Sequence, residues 1–368
     1  MRILFLSDAG SYHTQRWVNY FVDRGHRCFL ISLERGFPTQ AQEFLVTPVP
    51  LPNFLKYPLL VPKIKKLAKS IQPDLVNAHF VPNYGLIGAL LKIHPLVVST
   101  WGSDVLISPE KSWLHRLRAK QILSKANLIT TDAMVSAEAI YKLGVGKERV
   151  LITPMGVEQR SIGQHRKKEK PCLLVMSNRK LEPLYGVATL IKAIPLIVKR
   201  AKRDVKFVII GEGSQKNYLL NLAIKYKAES NVEFKGVLSR EALIRYFQEA
   251  DIYVSTSLSD STSVSLLEAM AFGLIPVVTD IPGNREWIQE GENGFLFPKS
   301  DQGVLAERMV HVINEFNKWN EFRDKNASLI KTRAVWEDNL KAVETEFARL
   351  AGRDCDRFVD DPAQDGEE

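Results

Sequence analysis

The stretch SLSDSTSVSLLEAMAFG, residues 257–273, joins a hydroxyl-rich loop to an apolar helix and places carboxylates at Asp260 and Glu268. A Ser or Thr at a helix start accepts a bond from a first-turn amide, and the amides left over favour an anion. With the cap at Thr262 or Ser263, the amides of Ser263, Val264 and Ser265 line such a site. Glu268 then lies about one turn further in, and Asp260 stays in the loop. A second reading fits the same residues: Ser265-x-x-Glu268 matches a capping box, in which Glu268 folds back to a backbone amide. That helix would have barely two turns before Gly273. It would also leave a carboxylate beside the apolar AMAFG turn, where such groups are uncommon unless paired or bound.

The first half offers a second set of candidates. DAGSYHTQRW follows the first apolar run and opens a helix capped by Thr14, and Gly10 lets backbone approach a ligand closely. His13 is placed to position an acceptor hydroxyl or bond a phosphate, or is simply a surface side chain. His79, closing PDLVNAH, and Asp104, after STWGS, sit where strands should end, as substrate contacts or as local caps. Trp101 either stacks on a sugar or covers the core.

These groups need elements to hold them. Short apolar runs closed by Ser, Thr, Gly or Asp recur with helical patterns between them: RILFLSD, HRCFLIS, PDLVNAH, PLVVSTWGSD, ANLITTD and RVLITPMG. Continuous apolar strands alternating with helices predict a parallel sheet covered on both faces. A second series follows, PCLLVMSNR, VKFVIIGEG, NVEFKGVL, DIYVSTSL, LIPVVTD and NGFLFP. The expectation is α/β, with two doubly wound Rossmann-like domains facing across a cleft, and ligands outside the carboxyl ends of the strands.

Between the two series, residues 157–171 are charged and lack an apolar period, which predicts a linker and a boundary near Gly163. The domains are thus expected at 1–163 and 164–335. A helix over 336–352 carries Trp336, Leu340, Val343 and Phe347 on one face and is expected to pack back on the N-terminal domain. Residues 353–368 read as an acidic disordered tail. Its Asp354-Cys355-Asp356 could hold a metal-nucleotide at a strand end, but in such a tail it reads as solvated.

At 368 residues the chain exceeds the size at which one core usually keeps growing, and its 45% hydrophobic and 25% charged residues are those of a soluble globular protein. The apolar run before Ser7 is too short for a signal peptide or a membrane span. Three distant cysteines, Cys28, Cys172 and Cys355, argue against a disulfide framework and a zinc site, and point to the cytoplasm. The net charge of +8 suits an anionic partner. In PKIKKLAK, Lys63, Lys65, Lys66 and Lys69 surround Ile64, Leu67 and Ala68, either as a helix lying on anionic lipid or as a solvated face.

The segment STSLSDSTSVSLLEAMAFGLIPVVTDIPGNREWIQEGENGFLF resembles the signature of the family 4 retaining glycosyltransferases of the GT-B fold, two acids with seven residues between them and then an E-A-M-A-x-G-x-P-V-V run. DRGHRCFLIS, TPMGVE, GEGSQ and NVEFKGVLSREALIRYFQEADIYVSTS resemble further motifs of that family in its order. The resemblance implies transfer of a sugar from a nucleotide diphosphate sugar to a hydroxyl acceptor, in envelope polysaccharide, lipopolysaccharide or glycolipid synthesis. The acceptor would be a glycan or lipid-linked, reached at the inner face of the membrane, with no cofactor, metal or nucleic acid.

It makes Glu268 the ligand of the donor ribose, Asp260 the contact to the transferred sugar, and Arg179 the neutraliser of the diphosphate. A guanidinium fork suits that last role because it bonds phosphate oxygens in pairs. Gly211, in the GEGSQ turn, and Val237, after the strand that approaches the base, join the donor set, with Lys180 within reach of the phosphates. His13, His79, Trp101 and Asp104 would be acceptor-side. Four departures stand out: Asp260 replaces Glu, Tyr185 the family lysine, Trp101 a histidine, and Gly10 alone a glycine pair. Two competing readings remain, a nucleotide-sugar epimerase or phosphorylase, and a non-catalytic nucleotide-sugar-binding subunit on the same fold.

Overall fold

A computed structural model describes residues 1–36, 38–47, 51–164 and 172–353. The basic run at 165–170 and the acidic tail with Asp354-Cys355-Asp356 lie outside the described residues. Contacts divide the chain into two units, one of Met1–Thr153 with the described residues from Asn339 on, the other Pro154–Asp338.

The first unit is built on seven parallel strands, β1 (Arg2–Leu6), β2 (Arg27–Ser32), β3 (Gln42–Leu45), β4 (Leu75–His79), β5 (Leu96–Ser99), β6 (Leu128–Thr131) and β7 (Val150–Ile152). Their order is β3-β2-β1-β4-β5-β6-β7. Strand β3 has no counterpart in the sequence reading, because QEFL lies at the sheet edge, largely exposed, and lacks an apolar run. The second unit holds β8 (Cys172–Asn178), β9 (Asp204–Ile210), β10 (Val232–Gly236), β11 (Ile252–Ser255), β12 (Ile275–Thr279) and β13 (Phe295–Phe297), in the order β10-β9-β8-β11-β12-β13, again all parallel. Each order reverses direction once, between β1 and β4 and between β8 and β11. At such a switch point the loops leaving the two strands diverge and open a crevice at the carboxyl edge.

Alternation along β1 assigns its side chains to two faces. Leu4 and Leu6 enter a core with Ile64 and Ala68 of the helix Asn53–Ile71 and with Ile122 and Leu123 of the helix Trp113–Ser124. The apolar residues of PKIKKLAK therefore face the sheet. This decides between the two readings, against lipid contact by the apolar residues and for a solvated face: Ile64 and Ala68 are fully buried, and Lys63, Lys66 and Lys69 are exposed. Phe5 takes the other face. It packs on Phe21, whose ring stacks on Phe347 of the helix Trp336–Leu350 at 5.2 Å.

That last helix is also tied by charge. Buried Glu344 meets His26 Nε2 at 2.8 Å, Arg24 Nε at 3.2 Å and the Tyr20 hydroxyl at 3.1 Å. Residues 157–163, read as linker, belong to the second unit. Val157 is buried there and bridges Val335, and the Gly163 amide donates to Ala271.

Candidate functional site

In the second unit the β8/β11 switch point gathers the opening stretch. The helix spans Val264–Ala271 with Ser263 as its cap, whose hydroxyl accepts the Leu266 amide at 3.4 Å. Ser265 lies inside the first turn, so the capping-box alternative does not form. Its hydroxyl instead accepts from Asn178 at the end of β8, at 3.5 Å. Glu268, buried on the same helix, pairs with Arg240 of the helix Arg240–Glu249.

Arg179 follows β8 directly and reaches across the switch point. One arm of its guanidinium donates to the Ser263 hydroxyl and the other to Asp260. Its side chain is only 9% exposed. Burial alone would push the guanidinium pKa down, but Asp260 and the nearby Tyr253 and Tyr185 raise it above its ordinary value, so Arg179 is a fixed cation. The departure at Tyr185 has a structural meaning: its ring centroid lies 4.4 Å from the Arg179 guanidinium carbon, which sits over the ring face where the family lysine would have added a second charge. A cation over an aromatic face is attracted by the ring quadrupole.

Glycines bring the loops this close. Gly211, at φ 138°, sits where a β-carbon would collide with the Arg179 carbonyl, and Gly283 where it would collide with the carbonyls of Asp260 and Ser261. Gly211 is thus a backbone spacer beneath Arg179. The Thr262 hydroxyl accepts from the Trp287 indole at 3.3 Å. Lys180 and Val237 are exposed, Val237 at 76%. Asn178, Arg240, Tyr253 and Trp287 were not singled out in the sequence, since each joins the site through a partner distant along the chain.

In the first unit the β1/β4 switch point assembles an aromatic box. His79 is fully buried, its ring edge-on to Trp17 and Trp101 at 5.3 Å each and to Phe5 at 6.1 Å, and His13 stacks on Trp101 at 5.5 Å. His79 Nε2 meets the Asn77 side-chain oxygen at 2.8 Å, while Nδ1 has no hydrogen-bond partner among the described residues. Asp104 acts as a local cap: its two oxygens accept the Val81 amide at 3.0 Å and the Trp101 amide at 2.9 Å, and burial pushes its pKa up to about 6. The Gly10 amide is held by Asp8 at 2.7 Å, and the tightest backbone approach in that loop is made by Gly36.

Burial, helped by His13, lowers the His79 pKa from 6.5 to about 3, so the folded protein carries it neutral. The unfolded chain takes up a proton below pH 6.5 and the folded one does not until about 3, so stability falls as pH drops through that window. His79→Gln should remove this part of the acid lability. Unfolding midpoints measured on either side of pH 6.5 test it; a slope equal to that of the wild type would contradict the assignment.

Two family models match the chain, "Glycosyl transferase 4-like" over residues 2–133 and "Glycosyl transferases group 1" over 157–333. A glycosyltransferase of Methanocaldococcus jannaschii, MJ1607, itself uncharacterized, is 24% identical over 327 residues, 79% of this chain and 82% of that protein. The amylovoran biosynthesis glycosyltransferase AmsK of Erwinia amylovora is 26% identical over 205 residues, 54% of this chain and 50% of AmsK. Among solved structures, Anabaena Alr3699/HepE in complex with UDP-glucose superposes with a TM-score of 0.78 at 20% identity, covering 95% of this chain and 100% of that one. With one model on each sheet and the fold shared along nearly the whole length, the chain belongs to the group 1 glycosyl transferases, family 4, of the GT-B fold.

Proposed function

We propose that the protein binds a nucleotide diphosphate hexose or N-acetylhexosamine at the β8/β11 switch point and transfers the sugar, with retention at the anomeric carbon, to a hydroxyl of a cell-envelope glycan or lipid-linked acceptor. The observation that carries this reading is the nearly buried Arg179 fork beside the first turn of the helix Val264–Ala271. A cation and a helix N-terminus converging on one crevice suit a diphosphate. Donor binding would exchange one guanidinium arm from Asp260 to phosphate oxygens, leaving Asp260 to accept a sugar hydroxyl. Glu268, steadied by Arg240, would take the ribose hydroxyls.

As the sugar–phosphate bond breaks, charge grows on the departing diphosphate, and Arg179 with the Val264 and Ser265 amides would stabilise it. Front-face attack lets that phosphate remove the acceptor proton, so the scheme needs neither a protein base nor a metal ion. His13, stacked on Trp101, is offered as the acceptor-side group. UDP-sugars are the first donors to try, since HepE was solved with UDP-glucose. The amylovoran relative supports a polysaccharide acceptor, and the free cysteines Cys28 and Cys172 support a cytoplasmic reaction.

A thermal-shift panel of UDP-, GDP- and ADP-sugars, followed by transfer assays, tests this. One donor should raise the melting temperature by mass action, and Arg179→Ala should abolish the rise. A panel with no stabilising donor would defeat the reading; a donor that binds but is never transferred would point to a binding subunit. Tyr185 gives a finer check. Tyr185→Phe should leave the donor KM unchanged, whereas Tyr185→Ala should raise it roughly five- to thirty-fold through loss of about 1 to 2 kcal/mol of stacking. Equal KM values for the two variants would remove the ring from donor binding.

A further inference from the structure

The loop that carries Asp260 leaves β11 at Ser255 and reaches its helix at Val264. A second turn, residues 279–287 after the neighbouring strand β12, backs it at three points. Where the loop begins, the Thr279 hydroxyl donates to the Ser257 carbonyl at 2.6 Å, and the Asn284 side-chain amide holds Thr279 by donating to its carbonyl at 2.8 Å. Where the loop ends, the Trp287 indole donates to the Thr262 hydroxyl at 3.3 Å. Between these two, Gly283 lies so close that a β-carbon would stand 2.5 Å from the Asp260 carbonyl oxygen and closer still to that of Ser261. Thr279, Asn284 and Trp287 are each at most 2% exposed, so this backing belongs to the core. Trp287 is fixed in turn by the Arg333 guanidinium, 4.6 Å from its ring centroid.

Asp260 depends on such backing more than a longer acid would. Its carboxylate turns on two side-chain torsions, so it goes where the backbone carries it. Ordinary contact begins at 3.4 Å, so a methyl group at 283 would push the loop by about 1 Å, more than the roughly 0.5 Å within which a group that meets substrate must be held.

We propose that the turn 279–287 positions Asp260, and that Gly283 and Trp287 thereby set which sugar the chain transfers without touching it. This rests on the reading of Asp260 as the group that accepts a hydroxyl of the transferred sugar. Gly283 sets how closely the loop approaches the turn, because the two backbones meet only where no side chain intervenes. Thr279 and Trp287 fix the loop's two ends. With both ends and the middle held, the carboxylate has one place in the crevice. Hexoses that differ in the direction of a single hydroxyl are then told apart by whether that hydroxyl meets it, since a site built to bond a hydroxyl rejects an analogue that fails to present one.

The test compares Gly283→Ala and Trp287→Phe with the wild type. The probes are whichever of the UDP-, GDP- and ADP-sugars the wild type transfers, the C4 epimer of that donor, and the matching nucleoside diphosphate alone. Gly283→Ala should lower kcat on the order of a hundred-fold, with the affinity for the nucleoside diphosphate, read by calorimetry, unchanged. Trp287→Phe keeps a ring beside Arg333 and loses only the N–H, and should lower kcat about five- to ten-fold through one lost hydrogen bond. In both, the preference for the donor over its C4 epimer should narrow. Should Gly283→Ala fail to fold, Trp287→Phe carries the test.

A folded variant of either kind that keeps the wild-type kcat and epimer preference would overturn the proposal. So would one whose diphosphate affinity falls as far as its rate, because that is general damage to the crevice. A wild type that transfers no sugar defeats the transfer reading itself, whereas an active wild type with unaffected variants removes only the positioning role.

Discussion

Arg179→Ala is expected to lower kcat/KM on the order of a hundred- to a thousand-fold, about 2.7 to 4 kcal/mol, the loss seen when one donor to a developing anion is removed. The argument rests on position and on charge. The guanidinium is nearly buried, braced by the Tyr185 ring and bonded across the switch point to Ser263 and Asp260 of the segment that follows β11. Lysine cannot supply a fork, so Arg179→Lys should recover little. Initial rates with whichever donor stabilises the protein are the measurement. A near-wild-type rate for the alanine variant would take Arg179 out of the mechanism.

Glu344→Ala is expected to destabilise the first unit by about 1 to 3 kcal/mol, since it leaves the buried His26 ring and the Tyr20 hydroxyl without their acceptor. Burial by itself would raise the carboxyl pKa, but the bonds from His26 and Tyr20 and the Arg24 charge hold it below its ordinary value of 4.5. A lowered folded pKa means stability that is fully present above 4.5 and lost as pH falls through the folded value. The variant should therefore unfold at lower urea and respond less to acid below 4.5. Hydrogen exchange along Trp336–Leu350 reads the same effect locally, and unchanged protection there would refute it.

Both sheets could be read from the sequence because a strand covered on two faces must be apolar throughout. RILFLSD and VKFVIIGEG announce themselves; QEFL does not, because an edge strand keeps its polar side chains in water. Asp260 and Glu268 were found as residue types about a helix start, and Arg179 through the family resemblance. What was hidden is who holds them. Arg240 reaches Glu268, and the Tyr185 ring supports Arg179, through contacts that fold geometry creates and no local pattern encodes. The lysine-rich helix shows the opposite failure. Its amphipathic spacing was real, but spacing cannot tell a sheet from a bilayer as the apolar partner, and only the burial of Ile64 and Ala68 decides.

The grouping of residues from Asn339 onward with Met1–Thr153 has a consequence for biogenesis. The second unit, an uninterrupted stretch, needs no later segment to close its core. The first unit is made earlier yet must wait, with Phe21 and His26 lacking Phe347 and Glu344, until the last helix leaves the exit tunnel. The half that is synthesised first is the half that matures last, so a nascent chain stalled before residue 339 would expose an aromatic seam for chaperones to hold.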